Sequence, residues 1–178
     1  MKTRKSSGRR SLPSGLDRKH SQNDKLIALV RKHEGVMHRP YRCPARLWTV
    51  GVGHVIDPSH LEVPFERRLE LPIPDGWDRT LTDDEVNEIL AVDLQKFLDG
   101  VLRLCACEPF SNRNLALTSF AFNVGLGALQ ASTLRMKHNR GEFQDAADQF
   151  RRWVFSAGQR LRGLEIRRED ERRLYLAV

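Results

Sequence analysis

Residues 33–54 read HEGVMHRPYRCPARLWTVGVGH, and their reading decides the fold. Upstream of them Leu26, Ile27, Leu29 and Val30 keep helical spacing from about Asn23, and Gly35 stops the run. A first helix therefore ends at Glu34. Downstream, Leu47, Thr49, Gly51 and Gly53 alternate with Trp48, Val50, Val52 and His54, which predicts two short strands or a hairpin. A carboxyl at the C-terminal end of a helix faces the negative pole of the dipole. That position disfavours its ionised form and suits a general acid. Taken singly, such a glutamate is usually a surface residue. Cys43 by itself is a small buried hydrophobe, and Thr49 a strand residue chosen for its branched Cβ.

Working outward, residues 56–80 contain Pro58, Pro64, Pro72, Pro74 and Gly76, so they predict an irregular excursion with one helical turn near Phe65 to Leu69. Thr82 and Glu85 have capping-box spacing ahead of Val86, Ile89, Leu90, Leu94, Phe97 and Val101, and a long helix is expected there. Further helices are expected at about 112–124, stopped by Gly125, at about 142–155, stopped by Gly158, and at about 164–176. A shorter one is expected between 127 and 138. The fold class is α+β: a small N-terminal β-sheet lobe, a larger helical C-terminal lobe and a cleft between them. One domain over 23–178 follows a basic flexible tail, residues 1–22.

Composition bounds the function. A chain of 178 residues with 40% apolar content can build one core, and no window approaches the roughly 18 apolar residues of a membrane helix. A soluble chain without stable membrane insertion is expected. The net charge of +7 is concentrated at the start: residues 1–20 carry seven bases against Asp17, which leaves only +1 for the rest. Nucleic acid is therefore not an expected partner, and the tail is expected to favour anionic envelope surfaces. Within the remainder, residues 57–108 hold 13 acids and 5 bases, while 151–173 hold eight arginines and four acids. The arginines at 167, 168, 172 and 173, interleaved with acids such as Glu169, read as solvated ion pairs along a helix. Cys105 and Cys107, two apart, are expected on different sides of a helix, and three cysteines without a Cys-x-x-Cys pattern give neither a disulfide scaffold nor a metal site. Gly51-Val52-Gly53 lacks the third glycine and the following helix of a dinucleotide loop. No cofactor and no metal are expected.

The constellation says more than its members. His33-Glu34-Gly35, Tyr41-Arg42-Cys43-Pro44 and Leu47 to His54 resemble the active-site segment of the phage-type lysozymes, the muramidases of bacteriophage endolysins. The sequence reproduces that family's Glu, eight residues, Asp or Cys, five residues, Thr signature. Ala121 to Gly125, Ser132 to Arg135, Phe143 to Trp153 and Gly163 to Arg172 continue the likeness in the same order, over about 24–176.

The resemblance implies a lysozyme-like fold that hydrolyses the β-1,4 bond between N-acetylmuramic acid and N-acetylglucosamine in bacterial peptidoglycan. Glu34 would protonate the glycosidic oxygen, Thr49 would hold the attacking water, and Cys43 takes the place of the second carboxylate. A thiol near its ordinary value is a poor base at neutral pH. Cys43 could orient the water, ionise beside Arg42 or Arg46, or act as a thiolate that stabilises positive charge on the sugar. Single displacement with inversion is expected. Val55, Phe122, Thr133 and Gln149 fall where the family contacts saccharide, and His54 is expected to pair with an acid. A monomer is expected, held in the host cytoplasm until a holin-type lesion releases it to the wall, since no export segment is read. A catalytically impaired lysozyme-like module that binds glycan or protein is the alternative, and oxidation of Cys43 is a conceivable off switch.

Overall fold

The computed structural model describes residues 15–177, with side chains from Asn23 onward. Helix α1 (Gly15–His33) leads into a three-stranded antiparallel sheet of β1 (Met37–Arg42), β2 (Trp48–Gly51) and β3 (His54–Val55). Two 3-10 turns (Pro58–Glu62 and Phe65–Glu70) follow, then the long helix α2 (Asp83–Leu104) and α3 (Asn112–Val124). The remainder is α4 (Leu126–Ala131), α5 (Thr133–Asn139), α6 (Phe143–Gln149), a hairpin of β4 (Phe155–Ser156) and β5 (Gln159–Arg160), and α7 (Arg162–Leu176). This is an α+β architecture with a small sheet region and a mostly helical remainder.

The α1 helix starts at Gly15, so residues 15–22, expected in the tail, are helical in backbone. The earlier tail residues, with most of the basic charge, lie outside the described residues. Strand β1, which was not among the expected elements, carries Pro40. This proline sits where the β1–β2 register shifts between Met37 and Tyr41, an irregularity that tolerates a residue without an amide proton. Thr82 and Glu85 do form the capping box that starts α2: the Thr82 hydroxyl accepts from the Glu85 amide, and the Glu85 carboxylate accepts from the Thr82 amide. At about 1.5 Å per residue, the 22 residues of α2 span roughly 33 Å and join both parts of the molecule.

Two hydrophobic clusters flank that helix. Leu26 and Val30 of α1, Val50 and Val52 of the sheet, and Val86, Leu90, Leu94 and Leu98 of α2 form one. Val101, Phe120, Leu129, Leu134, Phe150 and Tyr175 form the other. The buried positions on α2 thus change partners between Leu98 and Val101.

The helix expected at 142–155 is shorter. It ends at Gln149, passes through a 3-10 turn (Phe150–Arg152), and gives way to the β4–β5 hairpin. Gly158 is a turn residue and not a helix stop: Ala157 and Gly158 have φ of 48° and 77°, the paired positive values of a tight two-residue hairpin turn. The segment 127–138 divides into two helices at Ser132, whose Oγ accepts from the Arg135 amide at 3.1 Å and donates to the Leu129 carbonyl at 2.7 Å. Cys105 caps the C-terminus of α2, and both it and Cys107 pack against the C-terminal cluster. They lie past the helix, so the expectation of opposite helix faces does not apply.

Candidate active site

Glu34 continues the last turn of α1, its amide donating to the Val30 carbonyl at 3.1 Å, and the side chain is 31% exposed. Three residues later the chain enters β1, whose first residue, Met37, pairs with Gly51 of β2. Glu34 and Thr49 are thus attached to the same small sheet. The Glu34 Oε1 accepts from Arg167 Nη1. Arg167, only 2% exposed, also donates from Nε to Glu171 Oε1 at 3.1 Å and from Nη2 to the Ser119 carbonyl at 3.3 Å. A guanidinium anchored at two further points has little freedom, so it fixes the carboxyl that it touches.

Behind Arg167 the network continues into the C-terminal cluster. Glu171 accepts from Ser119 Oγ at 2.8 Å and lies 3.1 Å from Arg168 Nη1, while Arg168 Nη2 donates to Asn123 Oδ1 at 2.5 Å. Arg168 and Glu171 are both fully buried. Burial pushes the Glu171 carboxyl up and Arg168 down to about 10, since removal from water penalises either charge. The expectation of solvated pairs therefore holds for Arg173 with Glu169 and fails for Arg167 and Arg168. The charges at 167, 168 and 171 fall on the same helical face as Leu164 and Tyr175, and that face is the buried one. This apolar flanking was the available signal. Arg167, which touches Glu34, was the residue of this site that a reading of charge alone missed.

Cys43 and Thr49 lie together. Cys43 opens a turn in which its carbonyl accepts from the Arg46 amide at 2.8 Å and its amide donates to the Leu47 carbonyl at 3.1 Å. Burial pushes the thiol up, but hydrogen bonds from the Thr49 hydroxyl and from the backbone at Leu47, Ala45 and Cys43 itself outweigh it. The net position is below the ordinary thiol value. Thr49, 2% exposed, also donates from Oγ1 to the Leu47 carbonyl at 3.1 Å. A hydroxyl has one proton, so it serves Leu47 when Cys43 is a thiol and the sulfur when Cys43 is a thiolate. In either setting the Oγ1 lone pairs can accept from a water.

The remaining predicted residues are more scattered. Val55 is the cross-strand partner of Thr49. Phe122 is half-buried, packed edge-on against Phe97 with ring centroids 5.3 Å apart. Thr133 is exposed at the start of α5, and half-buried Gln149 accepts from Arg152 Nη1 at 3.4 Å. Among the described residues no hydrogen bond, ion pair or ring contact joins Phe122, Thr133 or Gln149 to Glu34, Cys43 or Thr49. Beside Glu34 opens a surface pocket of about 680 Å³, whose wall includes Lys32, Asn123, Leu161, Arg162 and Arg167. His54 pairs with an acid as expected, Nδ1 lying 2.9 Å from Asp93 Oδ2. No group of three or more His, Cys, Asp or Glu residues could hold a metal ion among the described residues, and none of their helices is long and apolar enough to cross a membrane.

Comparison with known proteins places this arrangement. The phage lysozyme family model matches residues 31–171, from the end of α1 to the buried acid of α7. An endolysin of Bacillus phage B103 is 35% identical over 152 residues, which is 84% of this chain and 52% of that protein. A SAR-endolysin of Enterobacteria phage P21 is 32% identical over 143 residues, 80% of this chain and 77% of that protein. The chain spans about half the length of the Bacillus phage endolysins that it matches. A crystal structure of a P22 lysozyme mutant superposes with a TM-score of 0.69 at 29% identity, covering 86% of this chain and 96% of that one. With its signature residues carried at the junction of α1 and the sheet, the chain belongs to the phage lysozyme family.

Proposed function

We propose that this chain is a muramidase that hydrolyses the β-1,4 bond between N-acetylmuramic acid and N-acetylglucosamine in bacterial peptidoglycan, in the service of host-cell lysis. In this reading Glu34 donates its proton to the glycosidic oxygen. Thr49 accepts a hydrogen bond from a water on the opposite face of the sugar, and Cys43 either receives that water's proton as a thiolate or orients the water while the proton passes to solvent. Water then displaces the leaving group once, with inversion. Val55, Phe122, Thr133 and Gln149 contact the glycan. The enzyme waits in the host cytoplasm as a monomer and reaches the wall through a holin-type lesion. No cofactor takes part.

The observation that carries the reading is the pairing of Glu34, half-open to solvent, with a buried and doubly anchored Arg167 in a phage lysozyme fold. Such a partner orients an acid without covering it. The test is clearing of purified peptidoglycan by wild type, Glu34→Gln, Thr49→Ala and Cys43→Ser. Loss of a general acid is expected to lower the rate by about 10²–10⁴-fold. Retained anomeric configuration in the products would overturn the single displacement. Cys43 in place of a carboxylate favours one second reading, a module that binds glycan or protein without cutting, and a wild type that binds peptidoglycan without clearing it would establish that instead.

A further inference from the structure

The segment between β3 and α2 is fastened to the sheet by two arginines with no carboxylate partner among the described residues. Arg68 donates from Nε to the Val63 carbonyl at 2.9 Å, from Nη2 to Leu61 at 2.8 Å and from Nη1 to Ala45 at 3.2 Å. Arg42 donates from Nη1 to the carbonyls of Arg46 and Arg68, each at 2.8 Å, and from Nη2 to that of Leu71. Its guanidinium lies 4.1 Å from the Trp48 ring centroid, and Trp48 Nε1 donates to the same Leu71 carbonyl at 3.2 Å. The guanidinium of Arg46 stacks 4.2 Å from the Phe65 ring centroid.

Two of these bonds reach the turn that begins at Cys43, at the carbonyls of Ala45 and Arg46, and the others tie the same two guanidinium groups to the excursion. Ala45 and Arg46 are its third and fourth residues, and Arg46 has φ of 61°, a left-handed conformation that a residue with a Cβ adopts only under constraint. The same turn is closed by the Cys43 amide on the Leu47 carbonyl at 3.1 Å and by the Arg46 amide on the Cys43 carbonyl at 2.8 Å, two residues before Thr49. A planar guanidinium can reach carbonyls in three directions at fixed angles. An ammonium cannot reproduce that fork.

We propose that Arg42 and Arg68 are positioning residues, which lock the Pro58–Glu70 excursion onto the Cys43 turn and so hold the sulfur beside Thr49 for hydrolysis. The proposal rests on the reading of Cys43 and Thr49 as catalytic. It gives the Pro58–Glu70 excursion, whose two 3-10 turns bury no residue, a task that the family signature does not assign to it.

The test uses the full chain. Alkylation of Cys43 by iodoacetamide is followed across pH by peptide mass mapping, which separates it from Cys105 and Cys107, alongside peptidoglycan clearing at saturating and limiting substrate. The variants are Arg68→Ala, Arg68→Lys and, as a control, Arg67→Ala, whose side chain is 72% exposed and, among the described residues, pairs with Glu70 alone. Arg68→Ala and Arg68→Lys are both expected to move the alkylation midpoint to higher pH. Both should lower saturated clearing about tenfold or more with little change in half-saturation. Arg67→Ala should match wild type. A role in stability alone would lower the melting temperature and leave the midpoint in place, and a folded Arg68→Ala with the wild-type midpoint overturns the proposal.

Should Arg68 variants fail to fold, amide exchange in the unaltered chain decides. The Arg46 and Leu71 amides are expected to open together, and separate opening overturns the lock. If wild type clears no peptidoglycan, the functional reading fails by itself, while the alkylation midpoints still answer for the lock.

Discussion

Two arginine clusters lie beside the site, one at the Cys43 turn and one at Glu34, and they bind different partners. On the sheet side, Arg42 and Arg68 are half-buried and donate to neutral backbone carbonyls. On the α7 side, Arg167 and Arg168 are buried against Glu34 and Glu171. Carbonyl partners leave the positive charge uncompensated beside Cys43, whereas carboxylate partners cancel it. The difference also governs repair after damage. Water can replace a lost arginine at a half-exposed carbonyl, but it cannot reach a fully buried carboxylate. One cluster is therefore adapted to tuning a turn, and the other to holding a single charge arrangement.

The sharpest test of that contrast is the removal of Glu171. Glu171→Ala leaves Arg167 and Arg168 buried without the acid that they share, a loss expected to cost about 3–5 kcal/mol in urea denaturation. Arg68→Ala is expected to cost clearly less, because water can hydrate the carbonyls that it exposes. Equal losses would erase the distinction. The helical part also holds a close approach between α2 and α4. A Cβ on Gly100 of α2 would lie 2.5 Å from both Leu126 methyls, so Gly100→Ala is expected to cost about 1–3 kcal/mol through overpacking. A neutral result by thermal denaturation would mean that the Leu126 side chain swings aside or that α4 moves away.

The two regions should also titrate apart. His138 is 2% exposed: its Nε2 donates to the Ala106 carbonyl at 3.2 Å, and its Nδ1 accepts from the Tyr175 hydroxyl at 2.7 Å. Burial lowers its pKa, so the unfolded chain takes up this proton first. The stability linked to His138 is full above the ordinary value of about 6.5 and is lost as pH falls toward the folded value. Cys43, also lowered, acts in a higher window. Its contribution grows as pH rises through the folded value and is complete above the ordinary thiol value of about 8.5. Burial raises Cys105 and Cys107, which oppose Cys43 in the alkaline window, and lowers His33 alongside His138. Each limb is therefore read as a difference from wild type in melting temperature from pH 5 to 9: His138→Gln is expected to shrink the acid limb and Cys43→Ser to remove the alkaline gain. Loss of both limbs in a single variant would mean that the regions do not titrate independently.

What the sequence showed and what it hid follow the same division. Local signals were readable: Gly35 and Gly125 ended helices, Thr82 and Glu85 announced a capping box, and alternation around Thr49 marked a hairpin. The spacing of Glu34, Cys43 and Thr49 carried the family. Arg167 stayed hidden because its burial depends on α1 and α3 packing against α7, and in one dimension an Arg-Glu run looks like a wet surface. The excursion stayed blank for a related reason. Its order comes from side-chain bonds to carbonyls, and neither hydropathy nor periodicity records these. Strand β1 was obscured by Pro40, whose missing amide matters little at an irregular register. The roles of Phe122, Thr133 and Gln149 came from resemblance, and the local packing of Phe122 against Phe97 supplies a reason for that residue apart from sugar.

The smallest effect concerns Arg46, where the sheet-side cluster holds a side chain in a left-handed backbone. Arg46→Gly removes a conformational penalty of about 1–2 kcal/mol. The same change forfeits stacking on Phe65, about 0.5–1 kcal/mol, and loosens the unfolded chain by about 0.4–1 kcal/mol. These terms nearly cancel, so stability is expected to stay within about 0.5 kcal/mol of wild type. Arg46→Ala keeps the Cβ penalty and still loses the stacking, so it should be the less stable of the two. If alanine instead matches or exceeds glycine in urea denaturation, the turn has relaxed out of the left-handed region. The backbone bonds that Arg42 and Arg68 make would then not be enough to impose it.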